Sequence, residues 1–158
     1  MKTLVVYDSM YGNTEKIGRA IADAIAGDVK LLTAAQTNTV DLEGIDLLIA
    51  GSPTQGGRPS PAMAEFLKAI PEKTLANVGV AAFDTRFAKS DHSVGLRMLM
   101  RVIGFAARRI AEALTARGGK LLVEPEGFIV KGKEGPLREG ELDRAALWAK
   151  GIARSRED

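Results

Sequence analysis

Residues able to do chemistry gather in three short clusters of this chain. The first, Asp8-Ser9-Met10-Tyr11-Gly12-Asn13-Thr14, lies between an apolar run and a helical pattern. A turn leading into a helix presents unpaired amides and the positive end of the helix dipole, so it favours an anion. Ser9, Asn13 and Thr14 add short hydroxyl and amide groups, and Gly12 permits close backbone approach. A phosphate monoester suits that set, although an ordinary polar-capped strand-to-helix turn accounts for the same residues equally well. No lysine lies in the cluster, so it is not a Walker A loop, and the spacing G-x-G-x-x-G of a dinucleotide site is missing. The second cluster, Gly51-Ser52-Pro53-Thr54-Gln55-Gly56-Gly57-Arg58-Pro59, is long for a strand-to-helix connection. Its Gly56-Gly57 pair supplies peptide groups able to lie flat against a planar ring. The third, Asp84-Thr85-Arg86-Phe87, offers donors, an acceptor and an aromatic face.

Other chemistries lack their residues. There is no Cys and a single His, which removes disulfides, thiolate nucleophiles, Fe–S clusters, thiolate zinc and multi-histidine metal sites. His92 normally titrates near neutrality, so it is a proton donor if a substrate is reduced and otherwise polar surface. A phosphoacceptor of the receiver type needs clustered carboxylates and an aspartate ending the third strand, where this chain has Ala50-Gly51-Ser52. The charge balance, 22 Lys plus Arg against 20 Asp plus Glu, leaves +2 and gives no ground for a nucleic-acid partner. The chain shows neither a signal-type apolar segment nor 18 consecutive apolar residues, so the expectation is a cytoplasmic protein that does not engage a membrane.

The clusters need a scaffold that brings them together. At 158 residues, 46% hydrophobic and 27% charged, the chain has the composition of an ordinary globular protein and about one domain's length, so residues 1–158 are expected to form a single domain. Thr3 to Tyr7 and Leu47 to Ala50 are short, nearly continuous apolar runs of the kind buried on both faces of a parallel sheet. Val29 to Thr33 carries a lysine and suits an edge strand. Val78 to Phe83 predicts a fourth strand. Lys120 to Val123 predicts a fifth, continued by Phe128-Ile129-Val130 beyond Pro125. Helical spacing predicts a first helix over 14–26, capped by Asn13 or Thr14, and a second begun by Ser60-Pro61 and stopped by Pro71. A third carries Ile103, Ala106, Ala107, Ile110, Ala113 and Leu114. The last buries Leu142, Ala145, Ala146, Ala149 and Ile152, and Trp148 is spaced to pack with them. Strands alternating with helices imply right-handed crossovers, hence a doubly wound open parallel α/β sheet. Ligands of such sheets sit at the carboxyl ends of the strands, where all three clusters fall.

Ser9-Met10-Tyr11-Gly12-Asn13-Thr14 after strand one, Gly51-Ser52-Pro53-Thr54 after strand three and a polar–aromatic loop after strand four resemble the three FMN-binding loops of the flavodoxin family. The resemblance spans nearly the whole chain and is to the short-chain kind. It implies a five-stranded sheet of order 2-1-3-4-5 between two helical layers, and non-covalently bound FMN. Ser9, Met10, Tyr11, Gly12, Asn13 and Thr14 would take the phosphate without help from lysine or magnesium. Pro53, Thr54, Gln55, Gly56 and Gly57 would line one side of the ring, and Asp84, Thr85, Arg86 and Phe87 its pyrimidine edge or other side. The implied role is electron transfer between redox partner proteins. Alternatives are an FMN-dependent NAD(P)H:quinone-type reductase and a flavin-free interaction module of the same fold.

The family's carriers are usually strongly acidic, and this chain is nearly neutral. Arg58 and Arg86 beside the ring would favour added negative charge there and raise the reduction potential, unless each is solvated or paired with Asp84 or Glu65. Val94 to Phe105 holds more apolar residues than one helix face can bury, so it is expected to cover the ligand, to join two copies in a homodimer, or to lie buried on most sides. The charged, glycine-rich stretch Lys131 to Gly140 is expected to be a solvated connector.

Overall fold

The computed structural model describes residues 1–87 and 104–158. Its strands are β1 (Lys2–Tyr7), β2 (Asp28–Thr33), β3 (Leu47–Pro53), β4 (Gly79–Phe87), β5 (Lys120–Leu121) and β6 (Glu126–Val130). The described α-helices are α1 (Asn13–Ala24), α2 (Pro61–Ala69), α3 (Ala106–Ala116) and α4 (Glu141–Glu157). All pairings among these strands are parallel, in the order β2-β1-β3-β4-β5, with β6 also against β4. The fifth position is thus shared by two short segments. Pro125, which has no amide to donate, lies in the break between them. Strand order reverses between β1 and β3, which opens a crevice at their carboxyl ends. His92, Ile103 and the apolar stretch up to residue 103 lie outside the described residues. No helix among the described residues is long and apolar enough to cross a membrane.

Alternate residues of each strand feed two cores. Leu4, Val6, Leu48, Ala50, Val80 and Ala82 pack with Met63 and Leu67 of α2 and Ile110 and Leu114 of α3. Val5, Tyr7, Ile49, Ala81 and Phe83 pack with Ile17 and Ile21 of α1 and Ala145, Ala149 and Ile152 of α4. Trp148 packs as its spacing suggests, edge-on to Phe83 and Phe128 with ring centroids 6.2 and 5.9 Å away. Ser60 caps α2, its Oγ accepting from the Met63 amide at 3.5 Å, and Pro61 opens the helix.

Three expectations need correction. Residues 84–87 are not a loop: β4 runs on to Phe87 because β6 lies beside it from Phe83↔Glu126 to Phe87↔Val130 and takes up its hydrogen bonds. Asp84 and Arg86 therefore share one sheet face, and Thr85 and Phe87 the other. Asn13 and Thr14 do not cap α1. They are its first two residues, and Gly12 holds the cap position in the left-handed conformation, φ 92°. Leu142 is exposed, and the buried residue of that turn is Glu141. The reason is electrostatic, since two arginines and a backbone amide surround the carboxylate.

Gly51 shows how tightly the α1/α4 face is filled. A Cβ at this position would collide with the ring of Phe83, which is fully buried and held edge-on by Phe128 and Trp148. Gly51→Ala is expected to lose about 1–3 kcal/mol of stability through overpacking, read as a lower urea midpoint. An unchanged midpoint would mean that the aromatic cluster yields freely.

Candidate functional site

The turn after β1 is organised by Ser9. Its Oγ accepts hydrogen bonds from the amides of Gly12, at 3.1 Å, and Glu15, at 3.3 Å. With its lone pairs engaged, the hydroxyl proton is directed elsewhere, ready to be donated. Asn13 and Thr14 are buried at the start of α1. Thr14 Oγ1 lies 2.8 Å from Thr85 Oγ1, so one hydroxyl donates to the other and the pair has a second proton to offer. Asn13 Nδ2 donates to the carbonyl of Glu134 at 3.2 Å, across 121 residues of sequence.

The loop after β3 is a tight reversal. Gln55 and Arg58 exchange backbone hydrogen bonds of 2.9 and 3.1 Å, and Gly56 and Gly57 between them have φ of 58° and 79°. Two consecutive positive φ values are what a two-residue hairpin turn of this kind requires, which is the physical reason for the glycine pair. Arg58 is exposed and does not line the cavity described below.

At the end of β4, Asp84 is completely buried and grips Arg86 with two bonds, Nε to Oδ1 and Nη2 to Oδ2, both 2.7 Å. The Ala107 amide also donates to Asp84 at 2.9 Å, and the Ala106 amide donates to Thr54 Oγ1 at 3.1 Å. Asp84 and Thr54 thereby satisfy the first amides of α3, whose own cap residue, Phe105, makes no side-chain cap bond. Burial pushes the Asp84 carboxyl above the usual aspartate range, against the opposing pull of Arg86, the Ala107 amide and the Thr54 hydroxyl. Arg86 in turn stacks on Phe105, its guanidinium carbon 3.6 Å from the ring centroid. Its other neighbour is Gly127, where any Cβ would strike the guanidinium. Of the two arginines expected to add positive charge beside a ring, Arg86 is thus neutralised by Asp84 and Arg58 stands off the cavity.

These groups surround one cavity of about 410 Å³ at the carboxyl ends of β1, β3 and β4, well inside the size range of small-molecule sites. Ser9, Met10, Tyr11, Asn13 and Thr14 of the first cluster, the whole of Pro53 to Gly57, and Thr85, Arg86 and Phe87 line it. Gly12 shapes the turn from outside the lining, and Asp84 sits behind Arg86. The exposed apolar side chains Met10, Tyr11 and Phe87 all stand at this cavity, a concentration that marks a surface meant to be covered. One end therefore offers hydroxyls and helix-start amides to an anion, and the other offers glycine peptides and aromatic faces to a flat apolar body. A phosphate-bearing planar cofactor such as FMN fits that donor set.

Sequence reasoning missed Val130 and Lys133, which also line the cavity, as do Gly104 and Phe105 at the end of the segment for which covering the ligand is one expected role. The stretch after β6 is solvated, as expected, but it is folded on itself and is not a bare connector. Lys131 N donates to Pro136 O at 2.8 Å, Arg138 N to Ile129 O at 2.8 Å and Gly135 N to Gly132 O at 3.0 Å, folding it back over the start of α1. The glycines flanking Lys133 are the one sequence signal of that turn.

Residues 4–115 match the family model described as Flavodoxin domain. In structure the chain is similar to oxidised Flavodoxin 2 from Bacillus cereus, with a TM-score of 0.75 and 24% identity over 98% of this chain and 99% of that one. A flavodoxin from the domain Archaea superposes with a TM-score of 0.75 and 20% identity over 100% of both chains. Rubredoxin oxygen:oxidoreductase from the anaerobe Desulfovibrio gigas gives a TM-score of 0.74 and 24% identity, covering 99% of this chain and 36% of that one. No curated protein matches the chain in sequence.

Proposed function

The chain belongs to the flavodoxin family, and from that premise we propose that it binds FMN non-covalently in the cavity at the carboxyl ends of β1, β3 and β4 and carries electrons between redox partners. The observation that carries this reading is the meeting, in one cavity, of a hydroxyl-rich helix start with the Gly56-Gly57 turn and Phe87. FMN, when bound, supplies the redox chemistry. Ser9 and the Thr14–Thr85 pair each hold a proton for a phosphate oxygen, and the α1 amides add the favourable end of the helix dipole. The glycine peptides of the second loop admit a flat ring at close range. Met10, Tyr11 and Phe87 shield it from water on the open side. Because Asp84 cancels the charge of Arg86, that arginine presents little net positive charge to the ring.

Titrating the purified protein into FMN tests the reading. Flavin fluorescence is expected to fall to a one-to-one end point, and riboflavin, which lacks the phosphate, is expected to bind at least about tenfold more weakly, the worth of one charge-assisted hydrogen bond. Failure to quench either flavin overturns the proposal. Equal affinity for both would leave flavin binding intact but remove the phosphate role of the first turn.

A further inference from the structure

The cavity has two cationic lining residues, Arg86 and Lys133. Arg86 is committed to Asp84 by two 2.7 Å bonds. Lys133 makes no ion pair among the described residues. Its place is set by the backbone around it. Val130, the last residue of β6, is in register with Phe87 on the apolar wall. Four residues later the Glu134 carbonyl receives Asn13 Nδ2, and a Cβ on Gly135 would lie 2.7 Å from Asn13 Oδ1. Between these points the chain crosses from the ring wall to the first residue of α1. Lys133 occupies the second position of the turn closed by Gly135 N and Gly132 O at 3.0 Å. A lysine so placed starts from backbone tied to the first residue of α1, next to a turn already built for an anion.

We infer that Lys133 is a phosphate-binding residue of this cavity, its ammonium balancing the charge of the phosphate monoester held at the start of α1. The inference rests on the proposed FMN site and departs from the expectation that the first turn takes the phosphate without a lysine, adding a residue from a segment far away in sequence. It also gives the fold of residues 131–136 a purpose. The turn brings the cation to the ligand, and the Asn13–Glu134 bond ties it there. A phosphate carries close to two negative charges near neutral pH, and an ammonium adds a full charge to what the hydroxyls, the amides and the helix dipole supply.

The test compares dissociation constants for FMN and for riboflavin in the full-length protein and in Lys133→Gln, Lys133→Arg and Lys131→Gln. Lys133→Gln is expected to weaken FMN about tenfold, as the loss of one charge-assisted bond. Riboflavin affinity stays within about twofold in the same variant, as does FMN affinity in Lys133→Arg and Lys131→Gln. Raising the salt concentration weakens FMN binding to the parent protein more than to Lys133→Gln. Equal losses for FMN and riboflavin would show that Lys133 acts through packing. An equal loss in Lys131→Gln would show a general field effect, and either result overturns the assignment. A parent protein that quenches neither flavin instead overturns the cavity's proposed function, so the two failures are distinguishable.

Discussion

Asp84→Ala is expected to cost about 3 kcal/mol of folding stability, whereas the paired replacement Asp84→Leu with Arg86→Met costs far less. Asp84 is wholly buried and Arg86 nearly so, with 18% of its side chain exposed. Burial raises the carboxyl's pKa even with Arg86, the Ala107 amide and Thr54 pulling the other way. Taking two charges out of water offsets much of what a buried pair returns, so this one is poorly explained as a net source of stability. Its worth is positional. It aligns Arg86 between Phe105 and Gly127, and it holds the α3 amide end against β4. Removing one partner leaves a guanidinium without its counter-charge and an amide without its acceptor, and removing both leaves an apolar contact that packs. Urea unfolding of the single and double variants measures the difference. FMN affinity is expected to fall in Asp84→Ala as well, because Thr54 and Arg86, both lining residues, lose a shared anchor. A double variant as unstable as the single one would contradict the positional account.

The parts of the fold that were legible in the sequence are those governed by local pattern. Leu47 to Ala50 signals a central strand because a strand covered on both faces has no use for polar residues, and it pairs with both β1 and β4. The lysine at position 30 marks β2 as an edge, where its ammonium reaches Asp41 at 3.5 Å. Ser60-Pro61 marks the start of α2 by cap chemistry confined to four residues. The carboxyl-edge position of the three clusters follows from the same alternation of strands and helices. What stayed hidden depends on partners distant in sequence. Asp84 to Phe87 looks like a polar loop until β6, some 40 residues on, pairs with it. Lys133 is solvated as a connector residue would be, and its place at the cavity shows only once its turn is tied to Asn13. Glu141 looks like an exposed first-turn acid, and Leu142 like a core residue, until Arg144 and the Ile129 amide close on the carboxylate. In each case a charge or hydrogen bond from another element reverses what periodicity alone implies.

Glu141 carries the second large expected effect, a loss of stability in acid that Glu141→Gln abolishes. The carboxylate is 2% exposed. It accepts from the Ile129 amide at 2.6 Å and from Arg144 Nε and Nη2 at 2.9 and 2.7 Å, with Arg138 at 3.3 Å. Arg144 also donates to the Gly127 carbonyl at 2.6 Å and lies over the Phe128 ring, so the cluster fastens α4 to β6 beneath the segment that carries Lys133. Burial alone would raise the Glu141 pKa, but Arg144, the Ile129 amide and Arg138 together outweigh it and hold the group at about 2, below its ordinary 4.5. Arg144 is correspondingly pushed up by Glu141. A folded-state pKa below the unfolded value means that folding favours the ionised form. The contribution is then complete above pH 4.5 and is lost as pH falls through about 2. That shift corresponds to at most about 3 kcal/mol, reduced by solvent screening where Arg138 and Arg144 are partly exposed. Glu141→Gln is expected to be less stable than the parent at pH 7 by about 2 kcal/mol, with the gap closing between pH 4.5 and pH 2 as the parent's carboxylate takes up its proton. Denaturant midpoints of both proteins across that interval measure it. A gap that stays constant as the pH falls would assign the loss to altered packing and remove the charge from the account.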